Sequence, residues 1–325
     1  MGAPKRYVPK DQPKRLWIIL AVAAFLAVDL VLVGVAMNSN RAESQVAEPA
    51  PAATVEPAPA SSAPAEPAQT TPAAAPTATK VTAVPPTRLL AAVDGNTAWR
   101  ATTGTCPDAS ATPEFTSDGG ASWKTTDATA FTQVTALQRI LVTGDTQAAM
   151  VGLSADGCEP QFVETFVAGD NYVSYPEELA STWFTTPATP SNVHSPAGDF
   201  STPCTTVVAL APRDADAAAV LCAGGDVFET TDAAASWSNS ASVPGALTLA
   251  VTDNGYLAAV VGDPACKGVQ LRDLAAKDAK AGCYPLGAAP ESLPGKVAVS
   301  AAGDTLWLWA GNALARSSDA GVTWE

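Results

Sequence analysis

Short apolar runs, separated by turns rich in Asp, Gly and Asn, recur in pairs between residues 89 and 310. Each run has four to six residues, which is the usual length of a β-strand. Two such runs joined by a short polar turn indicate a β-hairpin. Five pairs occur: Leu89–Val93 with Thr97–Ala101, Ile140–Thr143 with Ala148–Leu153, Val207–Ala211 with Ala217–Cys222, Leu247–Val251 with Tyr256–Val261, and Val297–Ala301 with Leu306–Ala310. The pattern therefore predicts an all-β domain.

A longer apolar run lies near the N-terminus, from Leu16 to Met37, and only Asp29 interrupts it. Its 22 residues are enough to cross a bilayer as a helix. The basic residues of segment 1–15 predict a cytoplasmic tail and a signal anchor. A cleaved signal peptide is the alternative, because Gly34–Ala36 offers small residues, but the run exceeds the usual signal-peptide core. Two explanations of Asp29 are open: it contacts a polar group of a partner helix, or the other residues of the run are apolar enough to tolerate it.

Residues 38–79 consist mainly of Ala, Pro, Glu, Thr and Ser. Such a composition cannot bury enough apolar surface to fold, so we expect a disordered linker. Its prolines favour an extended chain of about 3 Å per residue, which would hold the domain formed by residues 80–325 away from the membrane. The abundance of Ala with Pro, Gly, Val and Asp is typical of bacteria with GC-rich genomes.

The predicted domain is acidic, with 26 Asp and Glu against 11 Lys and Arg beyond residue 80. A field of this sign does not attract nucleic acid or anionic lipid. We therefore expect no nucleic-acid partner. Membrane contact is expected through residues 16–37 alone.

An eight-residue phrase occurs three times, at Thr116–Trp123, Thr230–Trp237 and Ser317–Trp324. Its shared pattern is hydroxyl-x-Asp-x-small-x-hydroxyl-Trp. Asp, Ser and Thr side chains can accept a backbone N–H two residues on and so close a tight turn, glycine takes a left-handed conformation without strain, and Trp can be buried between sheets. The residues expected in these roles are Asp118, Gly120, Trp123, Asp232, Trp237, Asp319, Gly321 and Trp324. Ala234 replaces the glycine of the second copy, so we expect strain there.

The phrase resembles the Asp-box, or BNR repeat, of sialidase-like β-propellers. This resemblance implies a ring of blades with four strands each, and the five hairpins favour five blades. Weaker copies of the phrase are Thr165–Tyr172, with Val167 in place of the Asp, and Arg272–Ala279. A rival for the first of these is Pro176–Trp183. Six blades would result if the stretch from Tyr172 to Cys204 contained another sheet.

The last phrase ends at the C-terminal edge of the sequence, where the fifth blade still lacks its outer strand. A ring can take that strand from the other end of the domain, and this removes an exposed sheet edge. Lys80–Val84 is a short strand-like run before Pro85 and Pro86. We therefore expect Lys80–Val84 to complete the last blade.

The six cysteines, all beyond the predicted span, argue for disulfides in an extracytoplasmic domain. They include no Cys-x-x-Cys pair, and the chain has a single His, so we expect no metal site. Cys204 and Cys222 flank one predicted hairpin, and Cys266 and Cys283 bracket a segment within one blade. The same geometry leaves Cys106 to pair with Cys158 on the rim of adjacent blades.

The resemblance to sialidases implies a site with three arginines that bind a substrate carboxylate, a Tyr nucleophile paired with a Glu, and an Asp acid/base. The fingerprint of that family is Arg-Ile-Pro, and the nearest match, Arg139–Leu141, lacks the proline. Because no position matches the catalytic set, we expect no catalytic residues and no cofactor. The chain is more similar to the non-catalytic Asp-box propellers, such as photosystem assembly-factor and sortilin-type domains.

That similarity favours a membrane-anchored module which binds an extracytoplasmic protein, peptide or glycan. Two alternatives remain: an exo-sialidase or other glycoside hydrolase, and a purely structural envelope protein. The longest insertion between hairpins runs from Tyr172 to Cys204 and carries several aromatic residues. Two uses of its Tyr175, Trp183 and His194 are open: they form a contact surface, since aromatic residues on long loops often bind partners, or they pack over a blade edge.

Overall fold

Among the described residues, five antiparallel sheets of three or four strands and one separate two-stranded hairpin follow one another, and within each sheet the strands neighbour one another in sequence order. The structure is a computed structural model that describes residues 79–276 and 280–325. The first strands of all five sheets line a common central cavity, so the domain is a five-bladed β-propeller.

Blades 1 and 2 each have four strands, and the short helix α1 (Ala128–Thr132) lies between them. Blade 1 contains β1 (Arg88–Ala92), β2 (Ala98–Thr102), β3 (Glu114–Thr116) and β4 (Lys124–Thr125). Blade 2 contains β5 (Val134–Gly144), β6 (Gln147–Ser154), β7 (Pro160–Thr165) and β8 (Val173–Ser174).

The insertion that follows blade 2 forms a 3-10 helix (Pro176–Ser181) and a separate hairpin of β9 (Asn192–Ser195) and β10 (Gly198–Ser201). Two strands do not make a blade, so the option of a sixth blade is not realised. The rival turn proposed at Pro176–Trp183 is wrong, since its first six residues are helical. The turn between β7 and β8 is instead formed by the weaker copy Thr165–Tyr172.

Blades 3 and 4 have four strands each, and the last blade has three among the described residues. Blade 3 contains β11 (Val207–Pro212), β12 (Ala218–Cys222), β13 (Asp226–Thr230) and β14 (Ser238–Ser242). Blade 4 contains β15 (Ala246–Thr252), β16 (Gly255–Val261), β17 (Gly268–Asp273) and β18 (Lys280–Pro285). After a 3-10 turn (Pro290–Ser292), blade 5 contains β19 (Val297–Ala302), β20 (Thr305–Ala310) and β21 (Ala313–Ser317).

The second strands of the blades form the centre of the core. Every residue of β12 and of β16 is buried, because these strands have a neighbouring strand on each side and a neighbouring blade on each face. Trp99 in β2 and Trp307 in β20 are both 0% exposed. Burial of such rings contributes strongly to the packing between blades.

Lys80–Val84 does not complete the last blade. The segment forms no strand, and the Thr79 N–H that precedes it donates to the Gly262 carbonyl in blade 4 at 3.0 Å. Ala83 is 3% exposed and packs into the core shared by blades 3, 4 and 5. The run is therefore apolar because it covers the ends of two blades. Glu325 exchanges two backbone hydrogen bonds with Arg316. This pair in blade 5 corresponds to the pair of Lys124 with Phe115 in blade 1.

Three disulfides are present, and they join the pairs expected from the sequence. Their Cα–Cα distances are 5.9 Å for Cys106–Cys158, 5.1 Å for Cys204–Cys222 and 5.8 Å for Cys266–Cys283. The first bond links the β2–β3 loop to the β6–β7 loop, so it ties blade 1 to blade 2. The other two each close a loop within one blade or at its entrance.

Residues 1–15, the predicted span 16–37 with Asp29, and the linker up to residue 78 lie outside the described residues. So do positions 277–279 of the weaker phrase Arg272–Ala279. Within the ranges 79–276 and 280–325, no helix combines the length and the apolar character that a membrane crossing requires.

Candidate functional site

The three eight-residue phrases form the same turn between the third and fourth strand positions of their blades. In each, the hydroxyl of the first residue accepts the N–H of the fifth, at 3.0 Å for Gly120 to Thr116, 3.1 Å for Ala234 to Thr230 and 2.8 Å for Gly321 to Ser317. The same hydroxyl donates to the Asp carboxylate at 2.7–2.8 Å. Since the three turns belong to three different blades, they do not meet at one site.

The aspartates of these turns are occupied by local hydrogen bonds. Asp118 accepts the Ser122 hydroxyl at 2.6 Å and the Ser122 N–H at 3.0 Å. These bonds lower the pKa of Asp118 to about 2, and the bond from the Ser122 hydroxyl has the largest effect. Asp319 bonds Thr323 in the same way, and its pKa is likewise lowered to about 2. A carboxylate with such a low pKa is ionised at neutral pH. It therefore serves to close the turn and is a poor general acid.

The fifth position of each turn takes a left-handed backbone conformation. Gly120 has φ +84°, Gly321 has +89°, and Ala234 has +74°. Alanine in this region is strained because its Cβ approaches the following carbonyl. The side chain of Ala234 is only 2% exposed and packs into the core of blade 3, which offsets part of that strain.

The tryptophans at the end of the phrases pack near residues of neighbouring sheets. The Trp123 ring meets Trp307 of blade 5 edge to face at 6.4 Å, and the Trp324 ring meets Tyr284 of blade 4 at 5.4 Å. Trp237 packs against the core of blade 3. Edge-to-face pairs at such distances add to the gain from burial.

The three aromatic residues singled out in the insertion pack to different depths. Trp183 is 3% exposed and is a core residue of blade 3; its Nε1–H donates to the Asp214 carbonyl at 2.9 Å. The His194 ring stacks on Phe184 at 4.5 Å. Tyr175 is partly buried against the core formed by blade 2 and the insertion. The ring of Trp183 is therefore unavailable to a ligand.

His194 also contacts a carboxylate, with its Nδ1 at 2.7 Å from Asp199 Oδ1. Its Nε2 is buried and has no hydrogen-bond partner among the described residues. The two residues face each other across the β9–β10 hairpin, because His194 pairs with Asp199 in the register of that sheet. The contact is therefore part of the hairpin itself.

The central cavity brings the insertion and the propeller ring together. It has a volume of about 480 Å³ and is walled by the first strand of every blade. One end of the cavity is formed by Pro85, Pro86 and the insertion segment that includes Thr185–Pro187 and Pro190. A volume of this size matches pockets that hold small ligands or the end of a chain.

Two arginines are the only titratable side chains among the described residues that line this cavity, Arg88 at the start of β1 and Arg139 in β5. The remaining lining residues are mostly Ala, Val, Leu and Pro, with Gln138, Ser300 and three threonines as the polar ones. The described lining of the cavity therefore carries positive and no negative charge, although the domain as a whole is acidic.

Neither arginine forms an ion pair among the described residues. Arg139 Nη1 donates to the Trp183 carbonyl at 2.7 Å, and burial lowers the pKa of Arg139 to about 10, which leaves it protonated at neutral pH. Arg88 lies over the Trp309 ring at 4.4 Å, and its Nη1 is buried without a hydrogen-bond partner. Burial and the nearby charge of Arg100 lower the pKa of Arg88.

A third arginine lies close to Arg88 but is already paired. Arg100 Nε binds Glu114 Oε2 at 2.7 Å and its guanidinium lies over the Trp123 ring at 4.0 Å. Arg88 and Arg139 were not among the residues that the sequence predicted for the site. The signal that could have found Arg139 is a charged residue inside the apolar run of a first strand.

No protein-family model and no curated protein matches this sequence. Solved structures similar to the chain include YCF48 bound to a D1 peptide, with 16% identity over 77% of this chain and 83% of that chain and a TM-score of 0.28. YCF48 from Cyanidioschyzon merolae has 12% identity over 77% of this chain and 88% of that chain, with a TM-score of 0.28. A GH74 xyloglucanase from Xanthomonas campestris has 14% identity over 73% of this chain and 37% of that chain, with a TM-score of 0.30. At this level of similarity nothing about function follows.

Proposed function

We propose that this protein is a non-catalytic recognition module, anchored in the cytoplasmic membrane, whose propeller binds an acidic group of an extracytoplasmic ligand in the central cavity. The observation that carries the proposal is the pair of cavity arginines without a carboxylate partner, Arg88 and Arg139. Arg88 Nη1 is a buried donor without an acceptor, which costs free energy, and a ligand carboxylate would supply the missing acceptor.

The chemistry of the lining supports binding without turnover. Glycoside hydrolysis generally uses a pair of carboxyl groups, or a Tyr nucleophile, on either side of the scissile bond. The residues described around the cavity include no Asp, Glu, Tyr, His, Cys or Lys. Two arginines can hold and orient an anion, but a guanidinium does not release its proton near neutral pH, so neither residue can serve as a general acid or a general base.

The volume of the cavity limits the size of the ligand. About 480 Å³ would take one acidic sugar or the terminal residue or two of a peptide. The surrounding apolar side chains would contact the uncharged part of such a ligand. We therefore propose a ligand that presents a carboxylate at its tip, followed by an apolar or carbohydrate portion.

The binding test uses isothermal titration calorimetry with the full chain in a non-ionic detergent. The probes are glucuronate against glucose, and a tetra-alanine peptide with a free C-terminal carboxylate against its amide. We expect an acidic probe to bind at least tenfold more tightly than its neutral counterpart, and Arg139→Gln to remove that difference. The matched control is Arg272→Gln, since Arg272 lies in β17 of blade 4, pairs with Asp263 at 2.6 Å and does not line the central cavity.

Equal binding by the wild type and by Arg139→Gln would contradict the proposal, and so would hydrolysis of a fluorogenic sialoside. Arg88→Gln provides a second variant if Arg139→Gln lowers the stability of the blade 2 core. Deletion of residues 172–204 is a poor test, because it removes the buried Trp183 and one half of the Cys204–Cys222 bond.

The proposed location rests on the three disulfides, which form and persist in oxidising compartments. Membrane anchoring rests on the apolar run of residues 16–37. Alkaline carbonate extraction of membranes tests it: the full chain should stay in the membrane pellet, and a variant without residues 16–37 should be released. Release of the full chain would contradict the anchor.

A further inference from the structure

Exposed apolar side chains of this domain gather on blade 2. Six large hydrophobic side chains are exposed among the described residues, and three of them are Phe166 at 47%, Val167 at 48% and Val173 at 43%. A fourth, Phe131 of α1, lies 6.2 Å from the ring of Tyr172, the residue before Val173. Single exposed apolar residues are ordinary, whereas a cluster rimmed by polar residues marks a contact surface.

Val173, Tyr175 and Phe166 lie on one side of the outer strands. Val173 in β8 pairs with Glu164 in β7, and the Tyr175 N–H donates to the Phe162 carbonyl at 3.1 Å. Because alternate residues of a strand point to the same face, Val173 and Tyr175 lie on the same side of the sheet as Glu164. The Phe166 ring meets the Tyr175 ring edge to face at 6.3 Å and so extends this side toward the turn.

The turn itself does not require an apolar residue at position 167. The Thr165 hydroxyl accepts the Gly169 N–H at 3.0 Å and closes the turn without a carboxylate. At the same position the other three turns have exposed Asp118, Asp232 and Asp319. Because Val167 is 48% exposed, its burial in the folded domain contributes little free energy. Contact with a partner surface would bury the rest of the side chain and add to that free energy.

Acidic side chains border this apolar surface. The pKa of Glu164 is raised by burial and then by the charge of Glu178, so the two carboxylates repel each other. Neither forms an ion pair among the described residues. Glu177 stands beside Glu178 in the first turn of the 3-10 helix. A cationic partner would relieve this repulsion, whereas a second copy of a chain with a net charge of −14 would add to it.

The backbone also favours an extended partner. β8 has only two residues and is the last strand of its sheet, so its outward N–H and C=O groups face away from β7. A peptide can add to such an edge, with backbone hydrogen bonds for affinity and alternate side chains for specificity.

We infer that Phe166, Val167, Val173 and Tyr175, bordered by Glu164 and Glu178 and here called the blade-2 strip, dock an extended protein segment that presents both apolar residues and Lys or Arg on one of its faces. The apolar residues cover Val173 and Phe166, and the basic residues meet the two glutamates. This surface is separate from the central cavity, since none of its residues lines that cavity.

The test measures fluorescence anisotropy of a labelled Val-Ser-Lys-Ser-Val-Ser-Lys peptide, which has Val and Lys on one face, with the full chain in a non-ionic detergent at low salt. We expect saturable binding that weakens with added salt, and at least tenfold weaker binding to Val173→Lys. Glu164→Gln should weaken binding about threefold, because it removes one charge and leaves the apolar contacts in place. The matched control is Val322→Lys, which adds the same charge at a valine that is 72% exposed on blade 5, and should bind within twofold of the wild type.

Three results would overturn the inference. One is equal binding by Val173→Lys and Val322→Lys. Another is equal binding of a Val-Ser-Glu-Ser-Val-Ser-Glu peptide, which would show that charge has no role. The third is a concentration-dependent dimer that Val173→Lys dissociates, because the strip would then be an interface between two copies. Arg139→Gln should leave peptide binding unchanged, so failure here is distinguishable from failure of the proposed cavity site.

Discussion

The turns of blades 1 and 2 have the same shape but different sequences. Their comparison shows which side chains close the turn and which are exposed on its surface. In blade 1 the Thr116 hydroxyl accepts the Gly120 N–H and Asp118 binds Ser122. In blade 2 the Thr165 hydroxyl accepts the Gly169 N–H at the same 3.0 Å, although Val167 replaces the Asp. The hydroxyl is therefore the common element.

The aspartate adds a second link, from the third position to the seventh, that blade 2 lacks. Where that link is missing, an apolar surface of Phe166 and Val167 is exposed. Blade 2 also fixes the turn from outside, because the Ala168 N–H donates to the Thr146 carbonyl at 2.8 Å and the Tyr172 hydroxyl meets Thr126 at 2.7 Å. Neighbouring loops thus replace part of what a carboxylate does in blade 1.

The largest expected effect is on the left-handed position of the blade 2 turn. Gly169 has φ +79°, and a Cβ there would overlap the buried Thr126 side chain. Gly169→Ala combines the strain of a left-handed alanine with overpacking, so we expect it to lower the free energy of unfolding by about 2–5 kcal/mol. Denaturant unfolding followed by tryptophan fluorescence measures this change.

The control for that variant is Ala234→Gly, at the same position of the blade 3 turn. Its release of backbone strain and its loss of a buried methyl group nearly cancel, so we expect a change within about 1 kcal/mol. If Gly169→Ala unfolded at the same denaturant concentration as the wild type, the two turns would not share the same backbone requirement.

The second prediction concerns the hydroxyl that both turns share. Thr165 is 1% exposed and accepts the Gly169 N–H, so Thr165→Val leaves a buried donor without a partner. We expect a loss of about 1–3 kcal/mol in the free energy of unfolding. Thr116→Val should cost less, because the Gly120 N–H is only partly buried, whereas the Gly169 N–H is buried, and because Asp118 still binds Ser122. A larger loss for Thr116→Val would contradict the view that burial of the unpaired N–H sets the cost.

Local patterns in the sequence were sufficient for the hairpins and the cysteine pairs, because both depend on residues that are near in the chain or on one rim. The five pairs of apolar runs became the first two strands of the five blades. Lys80–Val84 shows the limit of such patterns. An apolar run that covers the ends of blades 4 and 5 has the same composition as a short strand, and only the ring as a whole distinguishes the two uses.

The candidate site was harder to predict, because its residues come together only when the ring closes. Arg88 and Arg139 lie 51 positions apart and line the cavity from different blades. Trp183 could not be told from an exposed aromatic residue, since its burial depends on blade 3 packing over the insertion. The exposed Val167 was visible as a departure from the repeated phrase, and its meaning emerged from the three turns that have Asp at that position.

The smallest expected effect is on the acid dependence of stability, and it tests whether the aspartate link can be moved between blades. The pKa of Asp118 in the folded protein is about 2, below the usual value of about 3.9. A lowered pKa means that the carboxylate stabilises the fold above pH about 4, and that this contribution is lost as the pH falls toward about 2. Asp118→Asn should therefore weaken the pH dependence of the thermal unfolding temperature in that window.

Val167→Asp should have the opposite effect in blade 2. The introduced carboxylate would stand two residues after Thr165, as Asp118 stands after Thr116, and would accept the Thr165 hydroxyl proton. We expect unfolding at neutral pH to change by less than about 0.5 kcal/mol, as for most surface substitutions, and the acid dependence between pH about 4 and about 2 to become steeper. Thermal unfolding at half-unit pH steps measures both slopes. An unchanged slope for Val167→Asp would mean that the carboxylate does not reach the hydroxyl, and that the blade 2 turn differs from the others in more than its side chains.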